Sequence, residues 1–293
     1  MKPGVYYDYD VNYPTNGVVD FDAFSTRHDL QSQVYWITLQ TAFFESRAVS
    51  RLREHQEALA ARLPESDIQY VVLESSVPGV FSLGGDMSLF LSAIRAQDRC
   101  GLEAYASACL ELVRCHANNY GNSPLTTIAV VSGLAYGGGF EAVLANDVII
   151  MEESVAVSFP EPLFNMFPGM GAYQLLSRRV PAKHAEKILL SGRTNTAKWL
   201  YDNGIIDYLV PTGQAHDALW DFIGSDRKHA RNHLHAAITD CYDAINEQDS
   251  RRFLDRWVDA AMSLDKRDIT RLEHLSRAQV SRRESLQAVH AST

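Results

Sequence analysis

Ser132-Gly-Leu-Ala-Tyr-Gly-Gly-Gly-Phe-Glu141 is the stretch on which the reading of this chain turns. Its three glycines, Gly137 to Gly139, let the backbone turn tightly between the apolar run Thr127-Ile-Ala-Val-Val131 and a helix expected over Phe140 to Ala145. Such a turn leaves N–H groups bare at a helix start, aimed at whatever oxygen binds there. Glu141 stands two residues beyond the glycines, within reach of the same ligand.

A second turn of the same kind lies upstream at Leu83-Gly-Gly-Asp86, after a strand and before a helix that Asp86 is placed to cap. Either turn alone is ordinary in α/β folds, and neither matches a dinucleotide fingerprint or a phosphate-cradling loop with its lysine. Brought side by side, the two would offer a pair of N–H donors. Thioester chemistry needs such a pair, because negative charge builds on the carbonyl oxygen in an enolate or a tetrahedral intermediate, and a missing donor costs about 2.7 to 4 kcal/mol. Downstream, Ser158-Phe-Pro-Glu161 ends in a second glutamate, with Pro160 pinning the backbone just past a strand. Two carboxylates in a dry cleft push one pKa up and so supply an acid and a base.

Outward from this centre the elements alternate. Gln33 to Leu39 and Tyr70 to Glu74 read as strands around a helix over Arg47 to Leu63 that Pro64 stops. Met87 to Ile94 and Gly101 to His116 read as helices, and Asp147 to Met151 and Val155 to Ser158 as strands. Short helices follow over Ala172 to Arg179, Lys183 to Ser191 and Ala197 to Asn203, then a strand over Ile205 to Val210. From Ala215 on there is no proline and glycine only at Gly224, while Leu234, Ile238, Cys241, Tyr242 and Ile245 recur at helical spacing. The organisation expected is an N-terminal extension over 1–30 that wraps on the surface or pairs at a sheet edge, an α/β core over 31–213 and a helical region over 214–293 that serves oligomerisation and covers the active site.

Composition narrows the class of function. With 46% hydrophobic and 22% charged residues the 293-residue chain is globular, and a formal charge of −9 speaks against nonspecific binding to nucleic acid or an anionic membrane. No secretory leader and no run of ~18 apolar residues is expected, so a cytoplasmic enzyme is the default. Cys100, Cys109, Cys115 and Cys241 form no CxxC pair and read as reduced structural thiols. His229, His233 and His235 include an i, i+4 pair but lack nearby carboxylates, and read as a solvent-facing helix rather than a metal site. Neither a metal nor a cofactor is expected.

Four segments in register, Phe81 to Asp86, Gly133 to Glu141, Phe159 to Glu161 and Phe167-Pro-Gly-Met-Gly171, resemble the signature of the enoyl-CoA hydratase, or crotonase, superfamily. The resemblance spans roughly Gln33 to Pro211 and includes Leu189-Leu-Ser-Gly-Arg193 and Asn203-Gly-Ile-Ile-Asp207. It implies a crotonase fold, an α/β spiral of strand–strand–helix units with a helical C-terminal region, assembled as a trimer or hexamer. Carried over position by position, it implies oxyanion-hole amides at Gly85 and Gly138 and catalytic glutamates at Glu141 and Glu161. The neighbouring Met87, Leu89, Phe90, Tyr136, Gly137, Met170 and Trp257 are candidates for the substrate pocket, and Met262 for its lining. Where common hydratases carry an Asn-Ala-Leu-type segment, this chain has Thr41-Ala-Phe-Phe-Glu45, which suits a carrier-protein substrate.

Within the superfamily, the Tyr- and Asp-rich start and the stretch Ser158 to Gly169 are similar to the diffusible signal factor synthases. That similarity implies dehydration of a 3-hydroxyacyl thioester on acyl carrier protein, followed by hydrolysis to a free cis-2-unsaturated fatty acid used in quorum sensing. Arg178, Arg179, Lys183 and Lys187 form a candidate basic patch for the acidic carrier. Two other readings stay open: an ordinary enoyl-CoA hydratase of fatty-acid oxidation, and a regulatory protein that works mainly by binding the receiver domain of a sensor kinase. Which glutamate is the base is left undecided.

Overall fold

The computed structural model describes residues 18–229 and 247–290. Strands β1 (Val18–Asp20), β2 (Phe24–Asp29), β3 (Val34–Leu39), β4 (Tyr70–Ser75), β6 (Thr126–Val131), β8 (Val148–Glu152) and β11 (Tyr208–Val210) build a seven-stranded sheet in the order β1-β2-β3-β4-β6-β8-β11. From β3 to β11 the pairing is parallel, whereas β1, β2 and β3 pair antiparallel. A smaller sheet, ordered β10-β9-β7-β5, contains β5 (Val80–Ser82), β7 (Leu134–Tyr136), β9 (Ala156–Ser158) and β10 (Thr194–Thr196). The helices are α1 (Ser46–Arg62), α2 (Met87–Ala96), α3 (Arg99–Ala117), the short turn α4 (Asn119–Asn122), α5 (Gly138–Leu144), α6 (Ala172–Ser177), α7 (Ala182–Ser191), α8 (Ala197–Asp202), α9 (Ala215–Lys228), α10 (Glu247–Met262) and α11 (Lys266–His290). This is the α/β crotonase fold, with a helical C-terminal region. Among the described residues no helix is long and apolar enough to cross a membrane.

Local sequence explains most of these elements. Strands β4, β6 and β8 are continuous apolar runs, as parallel strands covered on both faces must be, and β6 and β8 are buried at every residue. Helix α1 buries Val49, Leu52, His55, Gln56 and Leu59 along one stripe and ends where Leu63-Pro64-Glu65 tightens into a 3₁₀ turn. Asp86 caps α2 as expected, its Oδ1 accepting from the N–H of Ser88 at 2.9 Å and of Leu89 at 3.1 Å. Each such cap is worth about 1 kcal/mol.

Two features differ from the sequence reading. The triple glycine does not leave the apolar strand β6 directly; Gly133 turns the chain into β7, which joins the second sheet between β5 and β9. Both β7 and β10 have three residues, too few to show a period of two. Of the two expectations for the N-terminal extension, residues 18–29 take the sheet edge, as two strands of the main sheet with β2 matched to β3 over six residue pairs. The C-terminal helices also divide their loyalties: α9 buries Ala215, Leu219, Phe222 and Ile223 on the face of the main sheet, whereas α10 and α11 pack against α2 and α3 through Leu254, Trp257, Val258 and Leu272. The helical positions read at Leu234 to Ile245, and His233 and His235, lie outside the described residues. His229 follows α9, its Nδ1 lying 2.8 Å from the Ser225 carbonyl.

Candidate functional site

The two glycine turns meet because the strands that lead into them pair. Strands β5 and β7 run parallel, so Leu83-Gly-Gly-Asp86 and Gly137-Gly-Gly139 emerge side by side at the same ends of neighbouring strands. A methyl group added to Gly84 would lie 2.8 Å from the Tyr136 carbonyl oxygen and 2.9 Å from the Gly138 nitrogen, and Gly84 has φ +83°, so only glycine fits this crossing. A methyl added to Gly138 would stand 3.8 Å from the Gly85 nitrogen, which sets the scale of the gap between the two turns. Among the described residues, neither the Gly85 nor the Gly138 N–H donates to a protein acceptor, whereas the flanking Gly84, Asp86 and Gly137 N–H groups all do.

Both glutamates open on the same cavity. Glu141 lies in the first turn of α5, 1% exposed, and its Oε1 accepts from the N–H of Met170 at 2.7 Å and of Ala172 at 2.9 Å. Burial raises its pKa to about 7, and those two N–H donors hold it from going higher. Glu161 begins the 3₁₀ turn Glu161–Phe164 that Pro160 introduces. Its Oε2 is buried with no hydrogen-bond partner among the described residues. Burial first, and then the charge of Glu141, push its pKa up to about 8. Near neutral pH the pair therefore carries about one proton, with the charge favoured on Glu141 and the proton on Glu161.

From the carboxylates the cavity runs between α2, α3 and the two C-terminal helices, and its wall is almost wholly apolar. Met87, Phe90, Met170 and Trp257 line it together with Gly85, Gly138, Glu141 and Glu161. The other pocket candidates do not. Met87, Phe90 and Ile94 share one face of α2, while Leu89, two residues round the helix, faces a surface groove beside Val49 and Ala93. Tyr136 is taken up by β7, opposite Ser158, and the Gly137 N–H donates to the Ser158 carbonyl at 2.8 Å. Met262 packs on the C-terminal cluster, and Ala261 and Leu264 supply the wall instead.

Sequence reading missed Tyr105, Ala106 and Cys109, which α3 presents to the cavity, and Phe164 and Met166 from the loop past Glu161. Helical spacing marks the α3 residues as inward-facing but not what they face. Burial pushes the Cys109 thiol up to about 12, so it stays protonated wall. Trp257 also steadies the site: its Nε1 donates to the Phe167 carbonyl at 3.0 Å, on the loop that brings the Met170 and Ala172 N–H groups to Glu141.

The proposed basic patch divides: Lys183 and Lys187 are exposed, whereas its two arginines are engaged with backbone carbonyls. Arg179 turns inward, donating to the carbonyls of Asn146 at 2.6 Å, Asp147 at 3.1 Å and Ile205 at 3.1 Å, and pairing with Asp207. Arg178 donates to the Ala117 carbonyl at 3.0 Å, and Lys183 pairs with Glu186. Carbonyls left open beyond the C-terminal end of α5 and around neighbouring turns consume these arginines. Among the described residues no cluster of three or more His, Cys, Asp or Glu side chains is arranged to hold a metal ion.

Residues 31–262 match the enoyl-CoA hydratase/isomerase family. The chain is 27% identical over 165 residues to the mitochondrial methylglutaconyl-CoA hydratase of Homo sapiens, covering 56% of this chain and 46% of that protein. It is 29% identical over 166 residues to a probable mitochondrial enoyl-CoA hydratase 2 of Arabidopsis thaliana, covering 57% and 52%. These matches span about half the length of each relative. Among solved structures, the enoyl-CoA hydratase from Bacillus halodurans superposes with a TM-score of 0.71 at 21% identity, over 86% of this chain and 99% of that one. Pseudomonas aeruginosa DspI superposes with a TM-score of 0.63 at 23% identity, over 82% and 96%. At such identities the likeness is one of fold. The family match, which covers most of the chain, means that it belongs to the enoyl-CoA hydratase/isomerase family.

Proposed function

We propose that this member of the enoyl-CoA hydratase/isomerase family dehydrates a 3-hydroxyacyl thioester carried by acyl carrier protein and then hydrolyses the thioester, releasing a free 2-unsaturated fatty acid, the cis isomer used as a diffusible quorum-sensing signal. The observation that carries this reading is the pairing of two buried, unequally raised carboxylates with two N–H groups that have no acceptor among the described residues, in one apolar cavity. The Gly85 and Gly138 N–H groups bind the thioester oxygen. In the first step the Glu161 carboxylate removes the α-proton, the enolate charge rests on that oxygen, and protonated Glu141 gives its proton to the β-hydroxyl, which leaves as water. The pair ends with the proton on Glu161 and the charge on Glu141, the arrangement their raised pKa values of about 8 and about 7 favour.

That end state is the starting state for hydrolysis. The Glu141 carboxylate takes a proton from a water as it attacks the carbonyl carbon, the tetrahedral oxyanion sits in the same hole, and the C–S bond breaks with the proton delivered to the leaving thiolate. The cavity between α2, α3, α10 and α11 takes the acyl chain, its apolar wall matching a fatty tail. Incubation with a 3-hydroxyacyl carrier protein, followed by mass spectrometry of free acids, tests the reading. A free 2-unsaturated acid is the expected product, and an intact thioester after many turnovers would overturn the hydrolytic half.

A second reading, hydration of a 2-enoyl-CoA with the thioester left whole, is favoured by the hydratases among the relatives. There Glu141 would activate water and Glu161 protonate the α-carbon. Accumulation of 3-hydroxyacyl-CoA without free acid would select it.

A further inference from the structure

Around Gly85 five of six consecutive backbone polar groups are held by named partners. The Gly84 N–H donates to Ser82 Oγ at 3.2 Å, and the Leu83 carbonyl accepts from Gln279 Nε2 at 3.1 Å. The Gly84 carbonyl accepts from the Phe44 N–H at 2.8 Å. The Gly85 carbonyl accepts from the same Gln279 Nε2 at 3.0 Å, and the Asp86 N–H donates to the Tyr105 hydroxyl at 3.0 Å. Tyr105 in turn donates to the Phe44 carbonyl. The sixth group, the Gly85 N–H, has no acceptor among the described residues, and Gly85 lines the cavity.

Gln279 is the outlying member of this set. It belongs to α11, almost two hundred residues further along the chain, and its Oε1 also accepts from the Met87 N–H at 3.2 Å at the start of α2. A glycine pair has the widest backbone freedom of any dipeptide, so its peptide planes rotate unless something fixes them. One amide side chain here grips both carbonyls that flank the Gly84–Gly85 peptide and the first N–H of the next helix. Ser88 Oγ against Ser276 Oγ at 3.0 Å, together with the Arg95–Glu273 ion pair, docks the same face of α11 on α2.

We propose that Gln279 is a positioning residue of the oxyanion hole, fixing the Gly84–Gly85 peptide plane so that the Gly85 N–H points at the substrate carbonyl. The C-terminal helix is then part of the hole rather than only a cover over it. Any ligand or carrier that shifts α11 changes the polarisation of the thioester. This inference rests on the reading of Gly85 as a carbonyl donor.

The test pairs kinetics with spectroscopy on the full chain. Gln279→Met removes the donor and the acceptor, and Gln279→Glu keeps an acceptor for Met87 while losing the donor to both carbonyls. With a 3-hydroxyacyl-pantetheine thioester, both variants are expected to lose kcat by about 10- to 100-fold while KM moves by less than about threefold. Infrared spectra are recorded for a ketone analogue in which methylene replaces sulfur, so that the bound carbonyl cannot be hydrolysed. Wild-type protein should shift the carbonyl stretch to lower frequency, and both variants should lose most of that shift. Should Gln279→Met not fold, Gln279→Glu carries the test. A wild-type shift retained in the folded variants, with kcat unchanged, overturns the role of Gln279 and leaves the thioester reading intact. Absence of the shift in wild-type protein overturns the thioester reading and this inference with it.

Discussion

Glu141 and Glu161 open on one cavity, yet the fold holds them in opposite ways. Glu141 sits inside a helix with two backbone N–H groups on one of its oxygens, from Met170 and Ala172. Glu161 stands at the start of a 3₁₀ turn with one oxygen buried and without a partner among the described residues. Hydrogen bonds that favour the charged form restrain the first pKa near 7, while burial and the charge of its neighbour raise the second to about 8. Two residues of the same type thus become unlike groups, and the difference is made by the backbone around them.

The largest expected effect breaks the pair. Glu141→Gln and Glu161→Gln should each lower dehydration by about 10²- to 10⁴-fold. Hydrolysis of a saturated acyl thioester, which needs no α-proton transfer, should fall by that order only in Glu141→Gln. Equal losses of hydrolysis in both variants would show that the two carboxylates are not divided in this way.

A finer cut acts on one carboxylate through its support. Gly137 has φ +51°, and a methyl group there would lie 2.5 Å from Glu161 Oε1, so Gly137→Ala should displace Glu161 and cost roughly 10²-fold in dehydration. Gly138→Ala would meet Met170 Sδ at 2.5 Å and press on the residue whose N–H holds Glu141. It should therefore also damage hydrolysis of the saturated thioester, which Gly137→Ala should largely spare. A matched loss of hydrolysis in the two alanine variants would count against separate supports.

The pH profile reads the same asymmetry. Dehydration runs on the singly protonated pair, so its kcat/KM should be bell-shaped, falling on the acid side as pH drops below about 7 and on the alkaline side as it rises above about 8. Hydrolysis of a saturated thioester needs only the Glu141 carboxylate and should fall on the acid side alone. A flat profile from pH 5 to 10 would contradict the shared proton.

Stability should follow, with a smaller effect. Both carboxyls have folded-state pKa values raised above the ordinary 4.5, so the folded protein holds their protons more tightly than the unfolded chain. Their contribution is complete below about pH 4.5 and is lost as pH rises through about 7 and about 8. Glu161→Gln removes the more strained of the two charges. Its gain in stability over wild type should be larger at pH 9 than at pH 5 by on the order of 2–4 kcal/mol, measured by urea unfolding at both pH values. Glu141→Gln should gain less, because its substituent gives up a charged acceptor for two N–H donors.

Much of the site was legible because glycine and proline constrain the backbone locally. The two glycine turns, the cap at Asp86 and the placement of Glu161 after Pro160 all follow from residues that act within a few positions. Leu89 was misassigned because closeness in sequence to Met87 and Phe90 is not closeness in space; a helix turns about 100° per residue and carries it to another face. Arg178 and Arg179 looked like a surface patch because charge pattern is blind to the open carbonyls that draw them inward.

What the sequence determined by itself was the α/β class, the buried parallel strands and the pairing of two glycine turns with two glutamates, since propensity, periodicity and turn chemistry are short-range properties. The tertiary structure alone decided that β5 and β7 pair and so set the turns side by side. It also decided that the Met170 and Ala172 N–H groups reach one glutamate and not the other, and that Gln279 closes on the turn before α2. Those contacts join residues tens to almost two hundred positions apart. Their geometry depends on how the packed layers settle against one another, which no local window of the chain records.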